Sequence, residues 1–237
     1  MGNSISPHIE NARKTGICSL KDMKLKELPL EITKLPSSLR TLDLSHNQLK
    51  ALGPLIGQFT SLKSLSVNHN QLKKLPLELN GFLKLENLSL SANILNTFTL
   101  SSASKMNNLK TININNNKLK EFPECLCLLP NIDVVDISNN FISSLPTNIG
   151  NLKAIELNLN KNKLNCLSDE LTKCERLKVL RVEENCLGVD AFTENILKNS
   201  KFSVLAFEGN LFTMKQLQEM NGYDEYIARY SAGKKKL

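Results

Sequence analysis

Leu39-Arg-Thr-Leu42-Asp-Leu44-Ser-His-Asn47-Gln-Leu49 is a phrase that the chain repeats. It returns as Leu62 to Leu72 around Asn70, Leu85 to Leu95 around Asn93 and Leu109 to Leu119 around Asn117, then around Asn140, Asn162, Asn185 and Asn210. Successive asparagines are 23, 23, 24, 23, 22, 23 and 25 residues apart. A fixed period of this length marks a protein built by stacking one supersecondary unit on the next.

Within each unit the two leucines before the asparagine alternate with polar residues, the period-two pattern of a strand buried on one face. One unit cannot hide that face alone, but stacked units pool their leucines into a continuous core and line their strands into a parallel sheet. The asparagine follows the strand at the turn, where its amide can bond backbone groups that the sheet leaves unpaired. The eight asparagines are therefore read as structural ladder residues. Leu28-Pro29, Leu75-Pro76, Phe122-Pro123 and Leu145-Pro146 open the second half of a unit, and Ile32, Leu35, Leu79, Phe82, Ile149 and Leu152 recur there at steps of three to four residues. Proline ends strand pairing, and too few residues remain for a long helix, so short helical or 3₁₀ turns are predicted.

From about Ile17 to Phe212 the chain resembles the intracellular leucine-rich repeat proteins with units of about 23 residues. The opening Met1-Gly2-Asn3-Ser4, the phrase Ile155-Glu-Leu-Asn-Leu-Asn160, the stretch Gly222-Tyr-Asp-Glu-Tyr226 and the ending Lys234-Lys-Lys236 resemble a small myristoylated branch of that family. The expected fold class is α/β, a leucine-rich repeat solenoid with a curved parallel sheet on its concave face and short helical or 3₁₀ turns on its convex face. Three parts are expected. Residues 1–16 form a myristoylated segment and capping helix, 17–212 the solenoid with eight clear repeats after a degenerate first coil, and 213–237 a helical cap with a basic tail.

Met1-Gly2-Asn3-Ser4-Ile5-Ser6 fits the myristoylation pattern, with Gly2 exposed by methionine removal and Ser6 in the required place. Ser6-Pro7 and Gly16 predict a short helix with serine as N-cap, proline at its first position and glycine at its end, laying Ile9 and Ala12 on the first coil. One acyl chain binds membranes reversibly and weakly, so Arg13, Lys14, Lys21, Lys24 and Lys26 are expected to add attraction to anionic lipid, partly cancelled by Glu10, Asp22 and Glu27. At the other end Phe212, Leu217, Met220, Tyr223, Ile227 and Tyr230 predict an amphipathic helical cap.

No apolar run approaches the roughly 20 residues of a membrane span, and the N-terminus has no signal-peptide core. Six scattered cysteines, Cys18, Cys125, Cys127, Cys166, Cys174 and Cys186, form no end clusters, which points to thiols in a reducing compartment. Cys174 stands where other units place a buried leucine. Cys125 and Cys127 lack the second ligand pair of a zinc site. The expected location is cytoplasmic, peripheral to a membrane through the lipid.

The outward strand positions lie six, four and two residues before each asparagine. They contain five acids and one base, an excess of −4, although the whole chain carries +7. A nucleic-acid reader needs basic and aromatic residues on its working face, so nucleic acid is not expected as a partner. Extended polar solenoid faces bind other proteins. Glu156, Asn158, Arg181, Glu183 and Glu208, where charge interrupts a run of serine and asparagine, are the candidate partner-binding residues.

No glycine-rich phosphate loop occurs, and no serine or cysteine is tied to a base, so neither catalysis nor a cofactor is expected. His46 and His69 occupy the same position in adjacent units and should stack about 5 Å apart. With no carboxylate recognised beside them they are read as a copied repeat position. The resulting expectation is a monomeric, non-enzymatic, myristoylated adaptor. The alternative is a cytosolic regulatory subunit of a phosphatase or small GTPase, by resemblance to other intracellular repeat proteins.

Overall fold

The computed structural model describes residues 5–234. Gly2, with its predicted acylation, and Lys235 and Lys236 of the basic tail lie outside the described residues. The chain divides into two compact units, residues 1–118 with 129–131 and residues 119–128 with 132–237.

The first unit holds helix α1 (Ser6–Thr15) and five parallel strands in chain order: β1 (Ile17–Ser19), β2 (Thr41–Asp43), β3 (Ser64–Ser66), β4 (Asn87–Ser89) and β5 (Thr111–Asn113). Their register puts Cys18, Leu42, Leu65, Leu88 and Ile112 side by side, all buried, with more exposed neighbours on either side. That is the predicted alternation. Two residues further on, Leu20, Leu44, Val67, Leu90 and Ile114 fill the same core. Fully burying one such side chain contributes about 2 kcal/mol, and the stacked rows supply it in every coil.

The return path is made of 3₁₀ turns at Leu30–Lys34, Pro54–Gln58, Leu77–Gly81 and Ala103–Lys105. Pro29 and Pro76 are extended at the N-terminal ends of the first and third, where their fixed φ and missing N–H cost nothing. Ile32, Ile56, Leu79 and Ala103 point inward from the turns, and Leu35, Phe59, Phe82 and Met106 follow them into the core.

Helix α1 buries Ile9 and Ala12 and ends at Gly16, whose φ of 72° lets its N–H reach the Ala12 carbonyl at 2.8 Å. The predicted cap differs. Ile5 occupies the N-cap position and Ser6 is already helical, so its hydroxyl caps nothing.

The second unit holds β6 (Val134–Asp136), β7 (Glu156–Asn158), β8 (Val179–Arg181) and β9 (Val204–Ala206), parallel and in chain order. Its 3₁₀ turns are Glu124–Leu128, Ile149–Asn151, Asp169–Lys173 and Val189–Ala191, joined by α2 (Glu194–Asn199), α3 (Met214–Gln218) and α4 (Tyr223–Lys234). The amphipathic segment predicted at this end is two helices, because Gly222 at φ 92° turns the chain between them. Leu217 is buried as expected, but the other anchor is Tyr226, which is 4% exposed and forms a backbone hydrogen bond with Leu205. The break at Gly222 resets the helical phase, so a single period drawn through Phe212 and Tyr230 misses it.

Inside each unit the ladder asparagines bridge consecutive coils. Asn93 Nδ2 donates to the Val67 and Leu90 carbonyls at 2.9 and 3.0 Å, and its Oδ1 accepts from Leu72 N at 3.0 Å. Asn185 repeats this with Leu159 and Val182 as acceptors and Leu164 N as donor. The residue before each ladder asparagine is left-handed. His46, His69, Ala92, Asn116, Asn139, Lys161 and Glu184 have φ between 51° and 56°. This turn aims the amide back at the preceding coil. In the degenerate first coil Met23 takes the asparagine's place, and Asn47 Oδ1 accepts from both Met23 N and Leu25 N.

Candidate functional site

All five candidate partner-binding residues fall on the outward strand face of the second unit. The register sets Glu156 beside Val179, which lies beside Val204, and sets Asn158 beside Arg181, which lies beside Ala206. Arg181 reaches diagonally across one strand spacing, and its Nε stands 2.9 Å from Glu156 Oε1. Their side chains remain 39% and 33% exposed, so the pair is a surface feature with little stabilising weight.

Glu183 is held differently. Asn160 Nδ2 donates to its Oε2, while Asn160 Oδ1 accepts from the Glu183 backbone N–H at 2.9 Å. Asn158 Oδ1 accepts from Asn160 N at 3.0 Å, so these two asparagines orient each other and the carboxylate. Glu208 is exposed and in no ion pair among the described residues. Asp136 adds a further carboxylate in β6 and accepts from Ser138 N and Oγ. Over the twelve outward positions of this unit, four carboxylates face one guanidinium, an excess of −3.

Charge alone picks out Glu156, Asn158, Arg181, Glu183 and Glu208, and the structure brings them to one surface. It adds Val179, which stands beside Glu156, and Val204 beside Val179; Val204 is 36% exposed. A β-branched residue in a strand reads as ordinary strand propensity, so these valines carry no signal in the sequence alone. Ser45, an outward residue of the first unit, is instead buried, since its hydroxyl shares a hydrogen bond with Ser66 at 2.9 Å.

The histidines stack as expected, with ring centroids 4.3 Å apart and planes 22° from parallel. A carboxylate does stand beside them, because Asp22 Oδ1 is 3.9 Å from His46 Nδ1. Asp22 holds the left-handed position of the degenerate coil, which the asparagine spacing does not reveal. Among the described residues no group of three or more His, Cys, Asp or Glu side chains is arranged to hold a metal.

Cys174 is fully buried and its thiol donates to the Ile149 carbonyl at 3.2 Å. Burial pushes the thiols of Cys18 and Cys174 up to about 11 and that of Cys127 up to about 12. These three are inert core groups at neutral pH, whereas Cys166 and Cys186 are exposed. No described helix is long and apolar enough to cross a membrane.

Leucine-rich repeat family models match residues 37–78, as two copies, and 108–129, as one. Among solved structures the chain is similar to an internalin, InlF, of Listeria monocytogenes, at 23% identity and a TM-score of 0.73, over 92% of this chain and 63% of that one. The fold is that of the leucine-rich repeat proteins. A leucine-rich repeat protein of Leptospira interrogans is 26% identical with a TM-score of 0.66, over 89% of this chain and 58% of its own. A plant peptide hormone receptor, RGFR1, solved in complex with RGF2, is 22% identical with a TM-score of 0.64, over 86% of this chain and 35% of that one. The chain thus spans about three-fifths or less of each of these structures. These matches support the leucine-rich repeat family, and the fold is consistent with protein–protein interaction.

Proposed function

We propose that this leucine-rich repeat protein is a non-enzymatic adaptor that binds a protein partner on the outward strand face of its second unit. The observation that carries the reading is the Glu156–Arg181 pair near Glu183, with Val179 beside Glu156 and Val204 beside Val179. Fixed carboxylates next to exposed aliphatic groups suit a polypeptide segment that presents basic residues around an apolar anchor. One structural neighbour is a receptor solved with a peptide hormone, which supports a polypeptide as the class of ligand.

The second half of the proposal is a lipid tether at Gly2. Its support is the sequence Met1-Gly2-Asn3-Ser4-Ile5-Ser6 and the resemblance of the quoted stretches to leucine-rich repeat-containing protein 57, which implies a small myristoylated repeat protein. The adaptor would hold its partner at a membrane surface.

Two measurements test the halves separately. Myristate labelling with membrane fractionation of the wild type against Gly2→Ala tests the tether; absence of label, or equal distribution of the two, removes it. Co-precipitation with the combined Glu156→Ala, Arg181→Ala and Glu183→Ala variant tests the face. An activity assay on the captured partner separates an adaptor, which relocates it, from a regulatory subunit, which changes its rate.

A further inference from the structure

Three pentapeptides of the first unit share one pattern: Lys26-Glu-Leu-Pro-Leu30, Lys50-Ala-Leu-Gly-Pro54 and Lys73-Lys-Leu-Pro-Leu77. Each starts with an exposed lysine, has a leucine at its centre, buried at Leu28 and Leu52 and half-buried at Leu75, and ends on an exposed apolar residue. The final residues are the first residues of three successive 3₁₀ turns, Leu30–Lys34, Pro54–Gln58 and Leu77–Gly81. The strands that precede the second and third are paired in register, so the coils carry these side chains side by side at roughly 5 Å per step on the strand side.

Leu30 is 76% exposed and Leu77 79%, the most exposed large hydrophobic side chains among the described residues. A solvated turn has no use for two such leucines in the same register. The lysines are uncommitted too. Lys63 of this unit pairs with Glu86 at 2.7 Å, but Lys26, Lys50, Lys73 and Lys74 are in no ion pair among the described residues. The three pentapeptides hold four lysines and one glutamate, a local excess of +3. Glu31 and Glu78 follow the apolar ends, and Glu78 lies against Gly57, its Cγ 3.0 Å from where a Cβ would stand there.

The pattern stops after the third coil. The corresponding positions are Asn96 and Leu100 in the fourth coil, where Leu100 is buried, and Lys120 with Glu124, Ser143 with Thr147 and Asn165 with Asp169 thereafter. A row of apolar side chains with a parallel row of free lysines, limited to the coils next to the N-terminal segment, has the charge and the greasy tips that an anionic bilayer surface complements.

We infer that Leu30, Pro54 and Leu77 with Lys26, Lys50 and Lys73 form a second membrane contact, lying on anionic phospholipid. The inference deepens the proposed tether and rests on it for its setting, since a single myristoyl chain binds with an association constant of only about 10⁴ M⁻¹ and needs a second signal for stable anchoring.

The test is vesicle partitioning of the full chain, acylated and unacylated at Gly2, on phosphatidylcholine alone and on phosphatidylcholine with phosphatidylserine. The acylated wild type is expected to favour the anionic vesicles by about ten-fold or more, given roughly five-fold per lysine near the surface. The combined Lys26→Gln, Lys50→Gln and Lys73→Gln variant should lose that preference, and Leu30→Ser with Leu77→Ser should bind both vesicle types several-fold less. All five positions are exposed, and an unchanged thermal melt confirms that each variant folds. Equal binding of the wild type to both vesicles, or no effect of either variant, overturns the inference while leaving the tether standing. Failure of the chain to be acylated removes the tether alone, because the unacylated chain at low salt still reads the lysine and leucine effects on anionic vesicles. If the two serine substitutions abolish capture of a protein and leave partitioning unchanged, the face is a protein site and the lipid assignment falls.

Discussion

Leu72 donates its backbone N–H to Asn93 Oδ1 at 3.0 Å, so a side chain of one coil completes the backbone of the coil before it. Asn93 is 5% exposed, and replacing it by alanine strands that N–H and takes one of two amide donors from each of the Val67 and Leu90 carbonyls, which keep Asn70 Nδ2 and Asn117 Nδ2. A buried unsatisfied group costs about 1–3 kcal/mol. Asn93→Ala should therefore lower unfolding free energy by about 3 kcal/mol in urea titration. Asn96→Ala, at an exposed site three residues on, should change it by about 0.5 kcal/mol or less.

The Glu156–Arg181 pair predicts the opposite balance. Both partners are a third or more exposed, so a double-mutant cycle with alanine should give a coupling of about 1 kcal/mol or less in stability. Partner affinity should fall by about ten-fold or more in the same variants, measured by titration calorimetry with the captured partner. A stability loss above about 2 kcal/mol with affinity intact would make the pair structural.

The buried thiols set a pH dependence. Cys18, Cys127 and Cys174 ionise at about 11, 12 and 11 in the fold, against 9.0 when exposed. Above pH 9 the unfolded chain loses these protons while the folded chain keeps them, so stability is complete below pH 9 and falls as pH rises toward 11 to 12. Denaturant midpoints measured from pH 8 to 11 should decline, and less so in a Cys18→Ala variant. In native protein, maleimide should label Cys166 and Cys186 well before Cys18, Cys127 or Cys174, as read by peptide mass mapping.

Gly222 sets the C-terminal cap. Its φ is 92°, and a Cβ there would lie 2.9 Å from Lys198 Cγ and 3.0 Å from Leu197 Cβ. Gly222→Ala should destabilise the second unit by roughly 1–3 kcal/mol, with early loss of amide protection in α4 by hydrogen exchange.

The repeating asparagine, with leucines at fixed distances, makes the strands, the ladder and the 3₁₀ side readable in advance, because each depends on spacing within one unit. What escapes the reading depends on neighbours. Ser45 is buried only because Ser66 stands beside it, and Asp22 reaches His46 from a coil that carries Met23 where its successors carry asparagine. Tyr226 joins Leu217 as an anchor because one left-handed glycine shifts the helical phase. At the candidate site the charged residues are legible as breaks in a polar run. The valines near them become visible only when the register sets Val179 beside Glu156 and Val204 beside Val179.

The most direct test of the adaptor reading is quantitative proximity labelling in cells, comparing wild type with the combined Glu156→Ala, Arg181→Ala and Glu183→Ala variant at equal expression. A specific set of neighbouring proteins should drop by about ten-fold or more in the variant, which keeps its fold because these side chains contribute little to stability. Identical neighbour sets for the two proteins would contradict the assignment of partner binding to this face.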